Sequence, residues 1–374
     1  MNIKTITCHD VYNFGASLQA YALQTFLENN GHSVEVIDYL PNYKHFYAFF
    51  KAHNNGFWGK VYRELPCLEP LCATIQHLGW YRILPKILRF KKFKRSYLHC
   101  TKQKYYCIED FKNRKPYADL YIAGSDQIWN TAFKNGLDPV YYCFFESDSN
   151  KCISYAASFG ISHIPVEYEN FVKRGLSNFR YLSIRELSGV KLAKELGYDA
   201  VNVLDPVFLL SREQWVEKIK HKCNDKYLLI YDFSKNDDRI KKIAIKIARK
   251  RNLKIYSFIT DGSYIDKVLH SCGPIEFIEW IANAEFIISN SFHATAFSVI
   301  LEKEFYTIPL LGYDNSSRMA DFLINIGLQD RFIEDFEKID LQETINYEPV
   351  ERKLRELIYV SSTWLLKAIE STKL

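Results

Sequence analysis

Short apolar runs alternate with helical periodicities along most of this chain. Residues 3–7 read as a compact buried strand, and a turn containing Asn13 and Gly15 follows. Leu18, Tyr21, Ala22 and Phe26 then recur at helical spacing, with Ser17 as the expected N-cap and Gly31 as the stop. Residues 34–38 supply the next strand. This βαβ unit puts its first loop where parallel α/β folds bind ligands.

The pattern breaks between about 42 and 116, a segment with Trp58, Trp80 and many Tyr and Phe that reads as a mostly helical insertion in the first domain. Strands resume at 119–123, 151–157, 181–184 and 200–204, with helices at 166–178 and 187–196. Asp205-Pro206 marks a boundary, because proline biases its predecessor away from helix. Beyond it the alternation restarts: strands at 227–231, 253–259, 286–289 and 305–309, and helices at 274–284 and 294–301. Ile240, Ile243, Ala244, Ile247 and Ala248 form one helix face. The expected architecture is α/β, with two Rossmann-like domains, 1–205 and 206–374, around a central cleft. A closing helix near 350–369 packs back toward the first domain.

At 374 residues the chain is long enough for two cores, and 48% hydrophobic residues supply them. The N-terminus lacks a basic region followed by a long apolar run, and no stretch approaches the ~20 apolar residues of a membrane span. A soluble cytoplasmic protein is expected. Its nine cysteines are odd in number and scattered, with no C-x-x-C pair, so a zinc or disulfide framework lacks support. Net charge is only +5, but Lys86, Arg89, Lys91, Lys92, Lys94, Arg95, Lys102 and Lys104 form a basic run without an acid. No nucleic-acid-binding motif accompanies it. With Trp58, Trp80, Tyr81, Phe90 and Phe93 interleaved, the run suits peripheral contact with an anionic membrane, or a packed insertion with one solvated face.

Four segments carry candidate chemistry. Gly124-Ser125-Asp126-Gln127-Ile128-Trp129-Asn130 follows a strand, where Asp126 either faces a ligand or caps the next helix. Ser183-Ile184-Arg185-Glu186 ends another strand, and Arg185 either holds an anion or pairs with Glu186. In Ser289-Asn290-Ser291-Phe292-His293 the histidine falls near a helix N-terminus, suited to catalysis or ligand contact. Arg318, after Asn315-Ser316-Ser317, either reaches an anion in the cleft or caps the surface.

Together with Asn13-Phe14-Gly15-Ala16-Ser17-Leu18-Gln19, Asp205-Pro206-Val207-Phe208-Leu209-Leu210 and Ser291-Phe292-His293-Ala294-Thr295-Ala296-Phe297, these segments resemble, in order, the polysaccharide pyruvyl transferase family over most of residues 1–330. The resemblance implies a fold similar to GT-B glycosyltransferases and transfer of the pyruvyl unit of phosphoenolpyruvate to sugar hydroxyls, as a ketal, with release of phosphate. It implies catalytic roles for His293, Asp126 and Arg185, with Ser291, Phe292, Arg318, Gly15 and Ser125 at the donor. No metal or cofactor is required beyond phosphoenolpyruvate as donor substrate. The acceptor is a sugar or lipid-linked oligosaccharide, reached at the inner face of the membrane. One position departs from the pattern: relatives carry an arginine two residues before the histidine, where this chain has Ser291. Arg185, Arg318 or Arg239 would substitute, or the donor differs. A nucleotide-sugar glycosyltransferase and a non-catalytic glycan-binding protein are the alternatives.

Overall fold

Two parallel five-stranded sheets form the frame, each built as the alternating pattern dictates. The computed structural model describes residues 1–41, 80–234, 237–310, 317–334 and 344–373. The part of the expected insertion at 42–79, Trp58 included, lies outside them, as do the side chains of Trp80 and Tyr81. In chain order the first half contains β1 (Asn2–Ile6), α1 (Phe14–Asn29), β2 (Ser33–Tyr39), α2 (Trp80–Tyr97), β3 (Cys100–Tyr105), α3 (Ile108–Arg114), β4 (Leu120–Ala123), β5 (Cys152–Ser154), α4 (Val166–Leu176), β6 (Ser183–Ile184), α5 (Leu187–Glu195) and β7 (Val201–Asn202). The second half contains α6 (Arg212–Val216), β8 (Tyr227–Tyr231), α7 (Asp238–Arg251), β9 (Lys254–Ser257), β10 (Lys267–Val268), α8 (Pro274–Asn283), β11 (Phe286–Ser289), α9 (Phe292–Ile300), β12 (Phe305–Thr307), α10 (Ser317–Ile326) and α11 (Tyr347–Ser371).

The first sheet runs β3-β2-β1-β4-β5 and the second β10-β9-β8-β11-β12, so both reverse direction of winding beside their first strand. Ligands bind at such switch points, outside the strand C-termini. In the first sheet that point lies between β1 and β4, and in the second between β8 and β11. The β6–β7 pair extends the first sheet through parallel bridges from Ile153 to Tyr181 and Ala157 to Ile184.

The basic run departs from its expected layout. β3 is an edge strand paired with β2, so the segment expected to be mostly helical up to 116 is interrupted by a strand between α2 and α3. Its sequence, CTKQKY, buries little beyond Thr101 and Tyr105, and an edge strand of this kind leaves no apolar run to read. On α2, Ile87, Phe90 and Phe93 fall on one face and are buried, with Phe90 packed on Tyr12 and Phe14 and Phe93 on Tyr21 and Tyr97. These aromatics dock the helix on the core. They are therefore not available to a membrane. Lys94 is likewise engaged inward, donating to Asp10 at 2.7 Å and Asp38 at 2.6 Å. Lys91, Lys92 and Arg95 remain exposed on the opposite face.

The long α11 ties the halves together. Val350 near its start belongs to the core around β8 and α8, whereas Leu365, Ala368 and Ile369 pack under β1 and β4. Midway, Ser361 Oγ accepts from the backbone N–H of Leu204 at 2.9 Å, at the junction of the domains.

Candidate active site at the domain junction

The ends of β1, β4, β6 and β11 and the starts of α1, α9 and α10 converge at the domain junction. The loop after β1 leads into α1, whose N-cap is Asn13 and not Ser17: Asn13 Oδ1 accepts from Ala16 N at 3.2 Å. Gly15 thus lies in the first turn of a buried helix with no acidic residue there. The second helix start belongs to α9, which opens at Phe292, so His293 is its second residue. Ser291 is the N-cap, its hydroxyl accepting from Ala294 N. At the position where relatives carry arginine, this chain therefore has a helix cap.

Gly15 and His293 come from different domains and touch. A Cβ at Gly15 would lie 1.9 Å from His293 Nδ1 and 2.2 Å from Cγ. Only glycine allows this approach. On its other side, His293 Nε2 lies 3.5 Å from Asp205 Oδ2, long for a hydrogen bond but within ion-pair reach.

Asp205 is the hub of the cluster. The same Oδ2 accepts from Arg185 Nη1 at 2.7 Å and from Ser125 Oγ at 2.9 Å, while Oδ1 accepts from Val207 N at 3.1 Å. Asp205 is fully buried. Burial opposes its ionisation, but the electrostatic pull of His293 and Arg185, with the hydrogen bond from Arg185, overrides that and holds the carboxyl well below the usual carboxylate range. Burial likewise works against the Arg185 charge, and the carboxylates of Asp205, Glu186 and Asp126 restore it and raise its pKa. The sequence offers Asp205 as a domain boundary and as part of a family motif, with no role at the site. Its partners come from segments distant in the chain, and no spacing announces them.

Arg185 pairs with Asp205, and Glu186 turns elsewhere: Glu186 Oε1 accepts from the backbone N–H groups of Phe159 and Gly160 at 2.8 and 3.1 Å. The guanidinium of Arg185 also lies 4.7 Å from the centroid of the Phe292 ring. Arg318, from α10, approaches the same ring at 5.9 Å. Arg318 is buried, and burial followed by the like charge of Arg185 pushes its pKa down to about 10. With the Gln127 amide oriented to suit, its oxygen accepts from Arg318 Nη1 and Nη2 at 3.0 and 2.7 Å. Arg239 is placed otherwise, held bidentate by Asp237 and donating to the carbonyl of Pro309. Of the three candidate cations, Arg185 and Arg318 are the two that meet beside His293.

Asp126 adopts a left-handed backbone, φ 75°, uncommon for a residue other than glycine and a frequent mark of functional loops. Its Oδ1 accepts from Gln127 N at 2.8 Å, but no helix begins here for it to cap, and its charge acts on both Arg185 and Arg318. Ser125 faces inward, supporting Asp205 and receiving Thr7 Oγ1 on its carbonyl. Among the described residues, Arg185 Nε, Glu186 Oε2, Ser158 Oγ and His293 Nε2 are buried polar atoms without a hydrogen-bond partner in or near this cluster. Such atoms are rare in folded proteins, and a polar ligand is one way to satisfy them.

The paired sheets define an α/β two-domain fold of GT-B-like architecture. The fold resembles UDP-N-acetylglucosamine 2-epimerase from Rickettsia bellii (TM-score 0.50, 11% identity, 99% of this chain and 96% of that one). It also resembles the UDP-GlcNAc 2-epimerase from Methanocaldococcus jannaschii (TM-score 0.50, 12% identity, 96% of this chain and 100% of that one). At such identities the likeness concerns the fold. A family model for polysaccharide pyruvyl transferase matches residues 13–310, and the chain belongs to that family. No curated protein matches it. Among the described residues, no helix is long and apolar enough to cross a membrane.

Proposed function

We propose that this member of the family transfers the pyruvyl unit of phosphoenolpyruvate to two hydroxyls of a sugar in a surface polysaccharide or its lipid-linked precursor. The observation that carries the reading is the convergence of Arg185 and Arg318 on Phe292, directly beside His293. Two guanidiniums close enough for one to lower the proton affinity of the other form an arrangement that an incoming anion relieves. A carboxylate-bearing phosphate ester is such an anion. Arg318 supplies the positive charge that Ser291 does not.

In the reaction, His293 protonates the methylene carbon of the enol phosphate and the adjacent carbon becomes electrophilic. One sugar hydroxyl adds there, with Asp126 taking its proton. Phosphate leaves with its bonding electron pair, and a second hydroxyl closes the ketal, releasing its own proton. Arg185 and Arg318 hold carboxylate and phosphate as charge builds on the departing oxygen. The donor is a substrate, and every step falls to this chain's side chains. Ser291, Ser125 and Gly15 serve the donor site indirectly, by capping α9, holding Asp205 and admitting the imidazole.

The exposed face of α2, with Lys91, Lys92 and Arg95, suits the anionic inner surface of a membrane where lipid-linked acceptors are assembled. Incubation with phosphoenolpyruvate and extracted glycan precursors tests the whole reading. Inorganic phosphate and acid-labile pyruvate on the glycan should appear together and be absent with His293→Ala. Consumption of a nucleotide sugar, with phosphoenolpyruvate untouched, would replace this reading with glycosyl transfer.

A further inference from the structure

The two ring nitrogens of His293 stand in different surroundings. Nε2 is buried and makes no hydrogen bond; the acceptor facing it is Asp205 Oδ2 at 3.5 Å, an atom already receiving Arg185 Nη1 and Ser125 Oγ and therefore fixed in place from two other segments. Nδ1 lies over Gly15 in the first turn of α1, on the cleft side, and no described residue hydrogen-bonds to it. A carboxylate facing one imidazole nitrogen keeps the proton on that nitrogen and leaves the other as the site of exchange.

We propose that Asp205 is the positioning residue for His293, holding its proton on Nε2 and leaving Nδ1 as the atom that exchanges a proton with substrate. The inference rests on the catalytic role given to His293 above. It adds which atom acts and which residue selects it. Arg185 then has two tasks, since the guanidinium that faces the donor also anchors the carboxylate that orients the acid. Ser125 reaches the reaction only through Asp205.

The test is nitrogen-15 NMR of the imidazole in the full chain, without ligand, at a pH where the ring is neutral. The His293 signals are identified by their loss in His293→Gln. The expected result is a proton on Nε2. In Asp205→Asn the preference for that tautomer should be lost. The turnover number should fall on the order of 10²–10⁴, with KM for phosphoenolpyruvate changed far less. A neutral ring protonated on Nδ1 in the wild type would overturn the proposal. So would a folded Asp205→Asn with the wild-type tautomer and turnover number. Should Asp205→Asn fail to fold, the wild-type tautomer decides. The NMR result needs no substrate, so an absence of phosphoenolpyruvate turnover would sink the donor assignment separately.

Discussion

Gly15 and His293 approach so closely that a methyl group on the glycine would sit 1.9 Å from the imidazole Nδ1. The contact joins the first turn of α1 in one domain to the first turn of α9 in the other, so the geometry of the site depends on how the domains meet. Gly15→Ala tests that dependence. Alanine improves helix propensity by about 1 kcal/mol, while overpacking costs about 1–3 kcal/mol, so a net loss of about 0–2 kcal/mol is expected. The imidazole must move, and a displacement of about 1 Å is expected to lower turnover on the order of 10²-fold. Wild-type turnover in a folded Gly15→Ala would show that His293 does not act from this position.

Asp205 makes stability depend on pH in a definite direction. Its carboxyl is held below the usual range in the folded protein, against about 3.9 in the unfolded chain. As pH falls, the unfolded chain takes up the proton first. The stabilisation is thus complete at neutral pH, declines below about pH 4 and vanishes only once the folded carboxyl is protonated. Removing one partner of a buried ion pair costs about 3–5 kcal/mol. Urea unfolding of Asp205→Asn should show a deficit of that order at pH 7, shrinking by about 1 kcal/mol between pH 4 and pH 3. A deficit constant down to pH 3 would contradict the ionised pair.

The basic face of α2 proposed to meet a membrane is narrower than the basic run suggested, since Lys94 turns inward. Flotation with vesicles containing anionic lipid should carry the wild type, and Lys91→Ser, Lys92→Ser and Arg95→Ser together should weaken binding by about 1 kcal/mol per charge, with salt abolishing the difference. Lys94→Ser belongs to another category, since it leaves Asp10 and Asp38 without their ammonium and should act on stability. Equal flotation of the triple variant and wild type would remove this surface from the account.

His293→Ala should lower phosphate release from phosphoenolpyruvate on the order of 10²–10⁴-fold while leaving the circular dichroism unchanged. Near wild-type release would assign the acid elsewhere.

What the sequence made legible follows from local physics. β8 and β11 are short apolar runs buried on both faces, and they occupy the residues their patterns indicate. β3 was hidden because an edge strand bearing Lys102, Gln103 and Lys104 has nothing apolar to announce it. The start of α1 was misplaced because Asn13 caps through its side chain a few residues before the first residues of the buried helical stripe. At the site, strand ends and the family motifs singled out Asp126, Arg185 and His293 individually. The meeting of Arg185 and His293 through Asp205 is tertiary, as is the approach of Arg318 to Phe292, because these contacts join segments from both halves of the chain.

The central claim is that Arg185 and Arg318 form the seat of an anionic donor, and thermal unfolding of the wild type and of Arg318→Gln with phosphoenolpyruvate, or separately with nucleotide sugars, tests it most directly. A ligand at 100 times its dissociation constant adds about 2.7 kcal/mol of stability, whatever the acceptor. The account predicts a raised midpoint with phosphoenolpyruvate that is lost in Arg318→Gln, and no rise with nucleotide sugars. A rise with a nucleotide sugar alone, or one with phosphoenolpyruvate that survives in Arg318→Gln, would contradict it.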